Sequence, residues 1–236
     1  MHDWDEDNSR GLLAVADAAD ARGLPSFAEY CRLREAGRRK LALTALRRFL
    51  DEARARPETE RRGVAAWMAR VALGHPDVHH LHVHPLWSEL VDPTLESWAT
   101  ETDGHEPRRL LALRRSEPEL LRRVLDHDPA DHACRAALAV SSLRAVDYAC
   151  HHLGEGRFLG DEAAALAALR DAKEHLAKLP PGAAREELEQ WQDRLHQFIG
   201  DWMEFRTSGT GTFREWCDAR GREHPWTTNH YFVLRR

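Results

Sequence analysis

Between Gly74 and Leu86 the chain reads GHPDVHHLHVHPL, with five histidines, His75, His79, His80, His82 and His84. Neutral imidazole is the commonest protein ligand for metals, and three converging rings could hold zinc or iron. On a helix His80 and His84 pair at i, i+4; on a strand His80, His82 and His84 share one face. No HExxH or HxHxDH spacing completes a site, so an exposed loop of freely titrating histidines is the competing reading. A second set lies at Asp147, His151 and His152, near the end of a long segment of mostly small or apolar residues. If that segment is a buried helix, Asp147 must be paired or protonated. Asp147 and His151, one turn apart, are then an ion pair, two metal ligands or an acid–base couple. Some helical di-iron proteins complete such a pair with carboxylates from neighbouring helices, and Glu162 or Glu174 are the acids on the next segment.

The elements that would position these residues are helical almost throughout. Ala, Leu, Arg and Glu dominate, all strong helix formers, and β-branched residues are scarce. Apolar residues recur at i, i+3 and i+4 in segments 9–23, 38–54, 58–73, 130–153, 161–179 and 183–206, with shorter helices expected at LWSELV, at 93–102 and after the Glu-Pro steps at 106 and 117. The fold expected is all-α, stacked antiparallel helical hairpins. Residues 1–8 read as an acidic tail and 9–236 as one helical domain. The terminal WTTNHYFVLRR carries the strand-like residues missing elsewhere and is expected as an extended tail.

Two segments share a pattern. PSFAEYC from Pro25 and GTFREWC from Gly211 each run hydroxyl, Phe, any residue, Glu, aromatic, Cys. Ser26 with Glu29, and Thr212 with Glu215, have capping-box spacing. Phe27, Tyr30 and Cys31, like Phe213, Trp216 and Cys217, then fall on one apolar face. The shared pattern reads as a way of starting a helix. A reactive thiol would need a neighbouring base, and only His224 could fold near Cys217.

The stretch LREAGRRKLALTALRRFL, Leu33 to Leu50, resembles the middle of a tetratricopeptide hairpin, with Gly37 at the turn, small Ala42 five residues on and Leu46 in the large apolar slot. It departs from that pattern at Tyr30, Phe49 and Arg54. VLDHDPADHACRAAL is similar to the junction between two such repeats through Asp128 and Pro129. The resemblance implies stacked helix pairs and no particular activity.

With 34 basic and 39 acidic residues the net charge is −5, which disfavours nucleic acid as the main partner. The most basic stretch, Arg108 to Arg123, is where RNA or an acidic partner would bind. No signal-like segment or membrane-length apolar run is visible, and four cysteines without CxxC spacing fit reduced thiols in a cytoplasm. Arg108, Arg109, Arg114 and Arg115 could form the rim of a protein interface, with Trp202 and Trp226 as aromatic anchors. The preferred reading is a cofactor-free module that binds another protein and no membrane. The alternative is an iron- or zinc-dependent helical enzyme built around Asp147 and His151.

Overall fold

Prolines mark where many of these helices begin. Pro25 opens the helix Pro25–Glu35 and Pro118 opens Pro118–His127, positions where a missing N–H leaves no bond unmade. The structure, a computed structural model, describes residues 4–101, 104–224 and 226. In chain order the helices are α1 (Trp4–Ala21), α2 (Pro25–Glu35), α3 (Arg39–Ala55), α4 (Glu58–Gly74), α5 (His84–Leu86), α6 (Asp92–Glu101), α7 (His105–Arg115), α8 (Pro118–His127), α9 (His132–Cys150), α10 (Glu162–Ala177), α11 (Ala183–Ser208) and α12 (Phe213–Asp218). Short 3₁₀ turns lie at His79–His82 and Leu153–Glu155, and a π-helical turn at Trp87–Val91 joins α5 to α6. The fold is all-α, with no strand among the described residues. The expected tail lies outside those residues except for Trp226. Helix α1 begins at Trp4, inside the stretch read as a tail, because the acidic residues there suit a helical first turn.

The sequence reading drew one domain over 9–236; the chain packs as two compact units, Met1–Leu120 and Leu121–Arg236. In the first, α1 packs on α2 and α2 on α3, while α4 packs on α6 and α7. The turn after α2 places Gly37 at φ +69°, a left-handed conformation that glycine adopts without strain. The core centres on Phe27, whose ring lies 5.0 Å from Phe49, 5.6 Å from Tyr30 and 6.2 Å from Trp67. Gly11 is required by close approach: a Cβ there would sit 2.2 Å from a methyl of Val78.

In the second unit α9, α10 and α11 pack against one another, and α12 closes on α11. Leu143, Val146, Leu169, Leu195 and Ile199 fill the core. One end is aromatic, where Phe198, Trp202, Phe205, Phe213 and Trp216 are joined by Trp226. Helix α12 starts with a full capping box between Thr212 and Glu215. Helix α2 does not. Pro25 takes its first position and the cap falls on Leu24, so Ser26 lies inside the helix. Its hydroxyl donates to Glu52 at 2.7 Å and accepts from Arg48 Nε at 2.9 Å. Both apolar trios are nonetheless buried, as their spacing predicts.

Candidate functional site

Helix α9 is buried along Cys134, Leu138, Leu143, Val146 and Cys150, but its other face is open. Arg144, Ala145 and Asp147 are exposed, and Tyr148 is 70% exposed. This corrects the expectation of a helix buried all round. Alanines raise the apolar count on every face of α9 without needing burial, so they hid its amphipathic character. Asp147 therefore needs no buried partner, and it forms no ion pair with His151 among the described residues. His151 is exposed, and His152 Nδ1 lies 3.3 Å from Glu155. Glu162 accepts from Trp202 Nε1 at 2.9 Å and from Arg206 at 2.6 Å, tying the start of α10 to α11, while Glu174 is exposed. Within this unit the acids that could have completed a metal site are thus engaged elsewhere or face water.

The histidine loop is also divided among separate contacts. His80 Nδ1 meets the side-chain amide of Asn8 at 3.1 Å, and its backbone carbonyl accepts from Tyr30 at 2.6 Å. His82 stacks on Trp87 with centroids 6.0 Å apart, and His84 Nδ1 lies 3.2 Å from the Ser88 hydroxyl. Among the described residues, His80, His82 and His84 do not bring three ligand atoms together, nor do Asp147, His151 and His152.

Arg108, Arg114 and Arg115 of the basic stretch are engaged within the first unit. Arg108 donates to the Ala99 carbonyl at 3.2 Å, Arg115 pairs with Glu96, and Arg114 lies 3.1 Å from Asp92 and 4.2 Å over the Trp87 ring. Arg109 is half-buried, whereas Arg122 and Arg123 are exposed. Trp202, at 6% exposure, is core, and Trp226 packs edge-on to Phe198 and Phe213. These residues were expected at an interface; the contacts described for Arg108, Arg114, Arg115, Trp202 and Trp226 are made within their own units, where long Arg stems and indoles cover apolar surface.

What the second unit does offer is a surface groove between α9 and α11. One pocket of about 260 Å³ is lined by Asp147, Cys150, His151, Leu195 and Phe198, together with Trp191 and Arg194. A neighbouring one of about 450 Å³ is lined by Val140, Arg144, Glu187 and Leu188, and shares Trp191 and Arg194. Trp191 is only partly buried and makes no ring contact among the described residues. Arg144, Arg194, Asp147 and Glu187 all lack an ion-pair partner among the described residues. The groove thus has an apolar floor and an unneutralised rim of both signs. Arg194 follows Trp191 by three residues and so shares its face of α11, the one signal in sequence that could have marked it.

No thiol adds chemistry to the groove. Burial, with Asp147 nearby adding to it, pushes Cys150 up to about 12. Cys217, whose neighbourhood includes Asp201, is pushed up to about 11, again mainly by burial. Neither thiol is a thiolate near neutral pH. His224 goes to Asp201, 2.8 Å from Nε2 to Oδ2, where sequence reading had looked toward Cys217.

Comparisons of the chain with protein-family models, with curated proteins and with solved structures return no match. No helix among the described residues is long and apolar enough to cross a membrane.

Proposed function

We propose that this chain works by binding another protein, and that the α9–α11 groove takes an amphipathic helix of the partner. The observation that carries this reading is Trp191 set between two adjoining pockets, with Arg144 and Arg194 unpaired beside it. Trp, Tyr and Arg are the residues most enriched at interface hot spots, and an apolar centre with a polar rim is the usual anatomy. Apolar side chains of the partner would fill the space beside Leu188, Leu195 and Phe198. A carboxylate would meet Arg144 or Arg194, and a basic group would meet Asp147 or Glu187. Tyr148 extends the same face. The stacked-hairpin likeness to tetratricopeptide repeats is compatible with such use, and four unbridged cysteines suit a reducing, cytoplasmic setting.

The test compares wild type with Trp191→Ala, Arg194→Glu and a control on an exposed position of α11, Gln197→Glu. A partner retained by wild type and by the control but lost by both groove variants supports the reading. A partner retained equally by all four overturns the assignment of the groove. Metal analysis of untagged protein addresses the enzyme reading: one iron or zinc per chain, lost in Asp147→Ala or His151→Ala, would replace a binding module with a catalyst.

A further inference from the structure

A second pocket, in the first unit, is built differently. It has a volume of about 310 Å³, and its walls include Arg54 of α3, Arg61 and Arg62 of α4, the π turn at Glu89 and Leu90, and Thr94 and Ser97 of α6. The π turn has a covalent cause. Pro93 has no N–H to give to the carbonyl four residues back, so the helix slips register just before it, with Asp92 N–H bonding Trp87 instead. Such turns are frequently found at functional sites.

Most charges around this pocket are already satisfied. Glu89 is held by Arg54 and by Arg47, the latter at 2.9 Å, and Arg62 bridges Glu58 and Glu101. Ser97 donates to Glu101 at 2.5 Å. Two groups are not satisfied. Arg61 is half-buried and has no hydrogen-bond or ion-pair partner for its guanidinium among the described residues. Thr94 is only 9% exposed, and its hydroxyl makes neither the common bond back along the helix nor any other. Its oxygen is not sealed from solvent, and the pocket that Thr94 lines leaves it open to a ligand.

We infer that this pocket binds a small oxyanion, a phosphate or carboxylate group, with Arg61 as the counter-charge and Thr94 as a hydroxyl donor. Arg54 and Arg62 keep the two lining carboxylates neutralised, which leaves Arg61 as the uncommitted charge. Guanidinium is suited to the role because its planar fork can give two parallel bonds to either oxyanion.

The experiment titrates ¹⁵N-labelled full-length protein with inorganic phosphate and, separately, with succinate, following amide resonances. Saturable shifts at residues 61, 94 and 97 are expected. Arg61→Gln should weaken binding by about tenfold or more, as loss of a charge-assisted bond requires. Thr94→Val, nearly isosteric, should weaken it by about threefold to tenfold. Arg61→Lys should restore part of the affinity, and Arg39→Gln, exposed on α3, should titrate like wild type. Shifts with phosphate alone would assign a phosphoryl ligand, and with succinate alone a carboxylate. The inference is overturned if neither anion gives saturable shifts, if Arg61→Gln titrates like wild type while its spectrum remains folded, or if Arg39→Gln loses as much.

Discussion

The phenolic hydroxyl of Tyr30 donates to the backbone carbonyl of His80, fifty residues further on, at 2.6 Å. Tyr30 is fully buried, and burial raises its pKa well above the ordinary tyrosine value, so the group stays a donor. This bond holds the histidine segment against α2 and leaves the His80 carbonyl no need of water. Tyr30→Phe keeps the ring and removes the donor. It should cost about 1–2 kcal/mol, the loss expected when a buried acceptor is left unmet. Urea denaturation of the two proteins measures this, and equal midpoints and slopes would show that the bond contributes nothing.

Burial lowers the pKa of His80, helped by the charges of Arg34 and His79, and burial likewise lowers that of His82, helped by Arg114 and His79. Both rings therefore favour the neutral form in the folded chain. Their contribution to stability is present above the unfolded value near 6.5 and is lost as pH falls below it, since the unfolded chain then binds protons that the folded one resists. Thermal melts of the wild type should thus fall as pH drops below about 6.5. The double variant His80→Gln, His82→Gln should show a shallower fall across that window. A slope unchanged by both substitutions would refute the assignment.

All four cysteines are buried and unbridged. Burial pushes Cys31 up to about 12, as it does Cys150. Native protein should react slowly with a thiol reagent at pH 8, and the four thiols should appear together once urea unfolds the chain. The same raised values favour the folded state below the ordinary thiol range near 8.5, an advantage given up as pH climbs from there towards about 12. Rapid labelling of one thiol in native protein would mark a cysteine that the fold fails to shield.

Helix existence was legible in the spacing of apolar residues because period and capping are local properties. The match of Thr212 with Glu215 shows this, and the failure at Ser26 shows its limit, since Pro25 alone moved the helix start one residue ahead of the hydroxyl. Asp147 failed for another reason. Alanine counts as apolar in a sequence window yet sits in water without cost, so α9 looked buried on every side. The groove at Trp191 and Arg194 depends on which side of α11 meets α9, and the pocket at Arg61 and Thr94 depends on packing between α4 and α6. Both pairings are non-local. Only Pro93 signalled the π turn, at a place where the spacing predicts two short helices, LWSELV and 93–102.

Asp201, with its side chain 8% exposed, accepts from Arg222 and lies against His224, itself 3% exposed at the side chain and stacked 4.4 Å from the Phe198 ring. These contacts bind the segment after α12 back onto α11, across 21 and 23 residues of chain. Removing one charge from such a group leaves the others desolvated without their counter-ion. Asp201→Asn preserves shape and removes the charge, and should cost about 1–3 kcal/mol, the loss expected when charge-assisted bonds to a buried acceptor are weakened, since Arg222 keeps Glu204 at 3.0 Å and is itself partly exposed. Near-UV circular dichroism should report loosened packing around Trp216 and Trp226 in the same variant. If Asp201→Asn unfolds at the wild-type urea midpoint with an unchanged aromatic spectrum, the network is a surface ornament and the segment is held by its rings alone.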